Sequence, residues 1–329
     1  MTSGRPAGRP AGKTGLRLGL GILASVGLLA AVAPVVAPSA PFAQHRMHPL
    51  APPMLPRVRL ASDEGWRPHV ARLTLTDRLS HSYDRGPRLP LVWLTEGTLV
   101  RSSDARHPLL WLGSDRLGRD VWSRLVYGAR YSLGLAALAV VGATMIGAAV
   151  GLLAGWRGGV VDVLLMRLTD LFIVLPALYV VLLFRASLPL VLQPSTLFLL
   201  MAGVLALAGW PSVARGVRAI VAVEREREYV LAARVMGASG WRIVMRHLLP
   251  STLPFLATQA VLLLPAFVVA EATLSFIGLG FAEPTPSWGT LLGDTFSARV
   301  LHDAPWLLAP AVAIALVTVA ANLVREGTH

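Results

Sequence analysis

Six times along this chain, about twenty residues pass with few or no charges, and that spacing admits little but helices in a bilayer. Hydrocarbon offers no water to a bare peptide group, so a crossing segment must bond its own backbone, and about 20 helical residues cover the ~30 Å core. The runs are 18–37, 131–156, 160–184, a stretch within 186–214, one within 248–270 and one within 304–324. The second holds no charge at all, whereas the third contains Arg167 and Asp170 near its start. An all-α polytopic membrane protein with six transmembrane helices is predicted. The first run follows a tail, 1–17, that carries Arg5, Arg9, Lys13 and Arg17, and it has a second reading as a signal peptide cleaved near Ala40. Pro41 directly after that site, and the length of the apolar core, favour the span.

Composition agrees. With 54% hydrophobic and 15% charged residues and a mean hydropathy of +0.61, a soluble globule could not cover its apolar surface. The absence of cysteine excludes disulfides, thiolate metal sites and a cysteine nucleophile. The eight histidines are scattered, with no His-Glu-x-x-His, and no Gly-x-x-x-x-Gly-Lys-Ser/Thr is present, so neither a metallohydrolase nor a P-loop nucleotide site is expected. No catalytic, cofactor-binding or metal-ligating set is assigned. The formal net charge of +12 comes almost wholly from arginines in tails and loops beside the spans, which argues for membrane topology and against a nucleic-acid partner.

Short-loop charge then sets orientation. With the N-terminus inside, the inner segments hold Arg157 and Arg167, then Arg215, Arg218, Arg225, Arg227, Arg234, Arg242 and Arg246, then Arg325. The short outer segments hold Arg185 and Arg299. Both termini and the 215–250 loop are therefore expected in the cytoplasm. Residues 38–106 form a long extracytoplasmic loop or added module, rich in Pro and Arg and without a periodicity that can be read. After it, an Asx turn at Asp115, a break at Gly118 and an amphipathic helix from Asp120 are predicted, the helix arginines lying at lipid headgroups.

The charged, helix-prone segment 228–250 lies between two apolar spans. Ala232 and Ala233 allow close approach, Gly237 permits a tight reversal, and Pro250 after Leu249 can open the next helix at its first turn. Helix, turn, helix on a membrane surface is predicted, either a plain amphipathic hairpin or one built for a soluble partner. The order resembles the Glu-Ala-Ala loop of ABC importer permeases, with Leu231 where that family has Glu and with Glu224, Glu226 and Glu228 nearby.

Other runs extend the likeness. Gly113-Ser-Asp-Arg-Leu-Gly-Arg-Asp120, Tyr127-Gly-Ala-Arg130, Gly155-Trp-Arg-Gly-Gly159, Gly209-Trp-Pro-Ser212, Glu271 to Gly280 and Pro284-Thr-Pro-Ser-Trp-Gly289 follow in order. Together they resemble the C-type permease of dipeptide, oligopeptide and nickel importers over about 117–322. The resemblance implies a type I ABC importer permease fold over 107–329, in a bacterial cytoplasmic membrane. It also implies a second homologous permease subunit, two cytoplasmic ABC ATPase subunits that bind the ATP, and an extracytoplasmic substrate-binding protein. Ala232, Ala233, Arg234, Gly237, Ala238, His247, Leu249 and Pro250 would form the ATPase-coupling loop. Asp170, Glu271, Ser275 and Trp288 are the candidate pathway or gating residues. Each acid also has a plainer reading: Asp170 paired with Arg167, and Glu271 capping or pairing with a neighbour. The segment 271–289 is expected as a re-entrant or surface-lying helix with Trp288 at the membrane interface. A channel or scaffold that works without ATPases is the alternative function.

Overall fold

The computed structural model describes residues 11–56, 60–61, 65–66, 68–95, 97–104, 106–175, 179, 183, 193–295 and 298–327. Arg5, Arg9 and Arg185, the end of the third predicted span and the start of the fourth lie outside the described residues. Two small strands, β1 (Leu60–Ala61) and β2 (Gly65–Trp66), and three longer ones, β3 (His69–Asp77), β4 (Ser82–Thr95) and β5 (Thr98–Ser102), interrupt a chain of helices. The helices are α1 (Ala11–Ala31), α2 (Ala33–Val36), α3 (Val121–Arg157), α4 (Gly159–Val174), α5 (Pro194–Glu224) and α6 (Glu228–Val235). They continue with α7 (Gly240–Phe276), α8 (Trp288–Gly293), α9 (Ala298–Asp303) and, after a 3₁₀ turn, α10 (Ala309–Gly327). Among the described residues, five helical segments are long and apolar enough to cross a membrane: those of α1, α3, α5, α7 and α10, the last with its 3₁₀ turn.

Two compact units divide the chain. The first comprises Met1–Leu23, Leu135–Ala270 and Val317–His329. Its centre is a row of small residues on α3. A Cβ on Gly147 would stand 2.5 Å from the Val213 side chain, one on Gly151 2.6 Å from the Ala214 carbonyl, and one on Gly155 2.8 Å from Val221. Four-residue spacing on both helices lets their backbones meet closely, as small-xxx-small pairs do in lipid, where van der Waals contact replaces the hydrophobic drive. The pairs rise together, so α3 and α5 run parallel. Helix α4 is tied to α5 by polar and ring contacts. Arg218 donates Nε to Asp162 Oδ1 at 2.9 Å, Arg215 pairs with Asp170, and Phe172 meets Trp210 edge to face.

The second unit comprises Ala24–Gly134 and Glu271–Leu316. Here the all-α expectation is corrected, because β3, β4 and β5 form an antiparallel sheet in that order. Val70, Leu73, Leu89 and Val100 pack with Ala51, Met54, Leu109 and Leu110 into one core, and Tyr83 donates its hydroxyl to the Pro49 carbonyl at 2.5 Å. β4 is the central strand yet contains Pro87 and Pro90. The ladder shifts register between Ala71 and Leu73, opposite Gly86 and Pro87, so Pro87 stands where the pairing is already broken.

Two further expectations change. The fifth predicted span is longer than its apolar run, and Pro250 opens nothing, because α7 is continuous from Gly240. A π-turn at Val244–Leu248, with Leu249 N–H donating to the Val244 carbonyl, stands directly ahead of Pro250. A proline ring inside a helix collides with the carbonyl four residues back, and a locally wider winding relieves that collision.

Candidate functional site

In the first unit, the reversal between α6 and α7 is a Schellman motif. Ala238 N–H donates to the Ala233 carbonyl and Gly237 N–H to the Arg234 carbonyl, both within hydrogen-bond distance, and Gly237 takes φ +83. Ser239 then caps α7 by accepting from Arg242 N–H. The hairpin therefore has two faces. Val230, Ala233, Ile243 and Leu248 are buried against Leu152, Val213, Val217 and Val221. Ala232, Leu231, Val235, Met236 and Trp241 face solvent, with Val235 89% and Met236 80% exposed. The two small residues that sequence reading grouped thus do different work. Ala233 lets the hairpin settle onto α5, and Ala232 keeps the outer face low.

The end of α3 holds the hairpin from the other side. Arg234 lies over the Trp156 ring at 4.9 Å, Gly240 approaches the same ring, and Arg225 donates to the Gly155 carbonyl at 2.9 Å. His247 sits beside Tyr229, with ring centroids 5.8 Å apart, while Leu249 packs at the edge of the apolar cluster and Pro250 is exposed. Of the acids that could stand in for the position of Leu231, Glu224 accepts from Tyr229 and Glu226 pairs with Arg225.

In the second unit, three of the predicted residues come together. Glu271 and Trp288 are buried, and Ser275 donates to Glu271 Oε1 at 2.8 Å while accepting from Phe281 N–H at 3.0 Å. Trp288 N–H donates to Ser132 Oγ at 3.1 Å and its indole N–H to the Leu125 carbonyl at 3.0 Å. Ser287 and Thr290 form a capping box at the start of α8, and Gly289 lies so near the Ala272 carbonyl that a Cβ would come within 2.4 Å. Trp288 is thus an anchor inside protein, correcting its expected place at the membrane interface. The run from 271 to 276 is the last part of α7 rather than a separate re-entrant helix.

A buried charged clamp went unseen in the sequence, where Asp115 and Arg119 stand only as parts of a motif. Asp115 Oδ2 accepts from Arg119 Nε at 2.6 Å and from Arg124 Nη1 at 2.5 Å, and both guanidiniums also reach Glu283. Asp115 Oδ1 accepts from the N–H groups of Leu117 and Arg119, which completes the predicted Asx turn. Arg124, an arginine of the helix from Asp120, was expected at the lipid headgroups; it is buried beside Arg119, because three carboxylates converge on the pair and leave Arg124 Nε without a partner among the described residues. Removing one partner would strand a buried charge at a cost of about 3–5 kcal/mol. Asp294, 3.7 Å from Arg124, has its carboxyl pushed up from the ordinary value by burial and then by the Asp115 charge. Asp120, whose Oδ2 accepts from Ser123 N–H at 2.9 Å, caps α3, and burial pushes its carboxyl up to about 7.

Residues 147–327, more than half of the chain, match the family described as "Binding-protein-dependent transport system inner membrane component". The chain belongs to this family. Among its relatives, the dipeptide transport system permease protein DppC of Bacillus subtilis is 38% identical over 71% of this chain and 70% of its own length. DppC of Alkalihalophilus pseudofirmus is 36% identical over 66% and 69%. The oligopeptide transport system permease protein OppC of Bacillus subtilis is 34% identical over the same shares, 66% and 69%. This inner membrane component is a multi-pass transport subunit. Its hairpin and its buried Glu271–Trp288 group fall inside the matched region, whereas the Asp115–Arg124 half of the clamp lies before it. Asp170 does not join the Glu271 group: it is in the first unit and pairs with Arg215 across helices, not with Arg167 on its own.

Proposed function

We propose that this chain is a permease subunit forming half of the translocation pathway of an importer for peptides or a related small solute, nickel complexes included. ATP is bound by partner subunits, and the chain itself carries no cofactor. The observation that carries the reading is the two-faced hairpin of α6 and the start of α7. Its inner face is locked onto α5 by Val217 and Val221, while Val235, Met236 and Trp241 are left in solvent around a rigid reversal. Such a face fits an apolar groove on a soluble ATPase, and any displacement of it is passed to α5 through the buried contacts. Coupling of this kind requires a helix bundle with two states that the nucleotide biases.

The partners are a second homologous permease subunit, two cytoplasmic ABC ATPases and an extracytoplasmic substrate-binding protein, assembled in a bacterial cytoplasmic membrane. The names of the relatives support a peptide-sized cargo. Six spans complete the transmembrane domain over 107–329 together with the 18–37 helix, α4 beginning the third; 1–17 is a cytoplasmic tail and 38–106 an added extracytoplasmic module. Glu271, Ser275 and Trp288 fix the end of α7 beside the pathway, and Asp170 with Arg215 bridges helices that move.

The test is co-elution of the ATPases with the detergent-solubilised permease. Ala232→Glu places bulk and charge on the outer face without touching the apolar cluster, so the permease should stay monodisperse while ATPase binding and uptake are lost. ATPases that remain bound with uptake unchanged would remove the hairpin from this role. Solute flux through the chain in vesicles without ATPase would favour the channel reading.

A further inference from the structure

The far end of the β4–β5 hairpin presents apolar side chains that the sheet does not use. Val92, Trp93, Leu94 and Leu99 are 38%, 53%, 79% and 41% exposed, although the module has a filled core on Val70, Leu73, Leu89 and Val100. Trp93 pairs with Val100 and Thr95 with Thr98, so all four lie within a few residues of the turn. Leu94 takes φ +52, an uncommon backbone for a leucine, and the strand's alternation of faces breaks there. Apolar groups therefore emerge from both sides of the tip.

What covers them follows from the neighbour of β5. That strand packs against α2, the four-residue helix that starts two residues after α1 ends at Ala31. Since α1 is long and apolar enough to cross a membrane, α2 stands where the chain leaves the hydrocarbon, and β5 stands with it. Helix α2 itself leaves Val35 exposed, and Phe42 follows, also exposed, so the apolar surface of the span continues beyond its end. An indole with its ring in the acyl boundary and its N–H in the headgroup layer is the side chain best suited to that depth.

We propose that the β4–β5 tip inserts Trp93 and Leu94 into the headgroup region of the bilayer beside α1, so that the sheet module lies on the membrane surface as a monotopic anchor. The proposal rests on α1 being a span, but on neither the cargo nor the ATPases. Because the chain has no cysteine, single thiols report one site each. A polarity-sensitive fluorophore on Leu94→Cys would be compared with one on Leu79→Cys, at the β3–β4 turn, in the full chain reconstituted in nanodiscs. The expected result is a blue-shifted Leu94 probe quenched severalfold more by nitroxide lipids labelled near the headgroup than by aqueous iodide, with the opposite ranking at Leu79. Leu99→Cys should repeat the Leu94 result if that variant folds poorly. A tip probe quenched by iodide as strongly as the Leu79 probe would overturn the proposal. So would shielding that develops only when the substrate-binding protein is added, which would make the tip a protein-docking site.

Discussion

Gly237 holds φ +83, and a Cβ there would crowd the backbone even though nothing else approaches within 4 Å. Strain of that kind costs about 1–3 kcal/mol, and a β-branched residue suffers it fully. Gly237→Val should therefore insert in the membrane normally yet lose uptake in proteoliposomes, while Gly237→Asn, which tolerates the left-handed region, should retain much of it. Equal uptake by both variants would reduce Gly237 to a spacer. Asp120 supplies a pH readout. Its folded carboxyl titrates near 7, above the ordinary carboxylate value of about 4, so between those values the folded chain binds a proton that the unfolded chain releases. Stability should fall as pH rises through that window. Asp120→Asn, which still caps α3, should flatten the dependence of melting temperature on pH from about 4 to 7; an unchanged slope would assign it to other groups.

At the scale of elements, the glycine row gives the sharpest contrast. Gly151→Ala drives a methyl toward the Ala214 carbonyl and should cost about 1–3 kcal/mol by overpacking, whereas Gly203→Ala on α5, with open space around it, should be close to neutral. Parallel melts of the two variants, followed by size-exclusion chromatography, check this. The hairpin of α6 and α7 was legible because each of its local signals, small residues, a glycine and a cap, acts within a few positions. The sheet was not. Leu73-Thr-Leu75-Thr alternates, but Pro87 and Pro90 argue against a strand, and only the register break explains how β4 holds the first of them. The charged clamp was hidden for another reason: an arginine beside an apolar span reads as a headgroup contact unless its acid partner, here 159 residues away for Arg124 and Glu283, is known. Asp170 was offered the partner three residues back, and the fold supplied Arg215 from another helix. The Gly-x-x-x-Gly spacing at 147, 151 and 155 was in plain view and is the signal that could have located the α3–α5 contact.

For the whole molecule, the arginine asymmetry remains the argument for orientation, and the structure chooses better reporters for it. Ser287 is buried, so a thiol there would be silent on either side of the membrane. Met236 and Leu79 are both highly exposed, and failure of either to react reports its side alone. Met236→Cys should resist an impermeant maleimide in intact cells and react after permeabilisation, whereas Leu79→Cys should react at once. The reverse pattern would invert the topology. Five of the six predicted spans were legible, each overlapping a described helix long and apolar enough to cross, since hydrocarbon thickness fixes their length. Their true ends were not, because α3, α5 and α7 run on past the apolar stretch as continuous helix.

The notches at Gly147, Gly151 and Gly155 mesh with branched valines at a matching interval, as teeth mesh in a rack. Sliding one helix along the other by less than one interval, about 6 Å for four residues, would carry each valine off its glycine and onto the side chains that flank it. Gradual shear between α3 and α5 is thereby blocked. The two behave as one stiff beam, and whatever rearrangement the transport cycle demands must be taken up at that beam's edges, where it meets the helices around it.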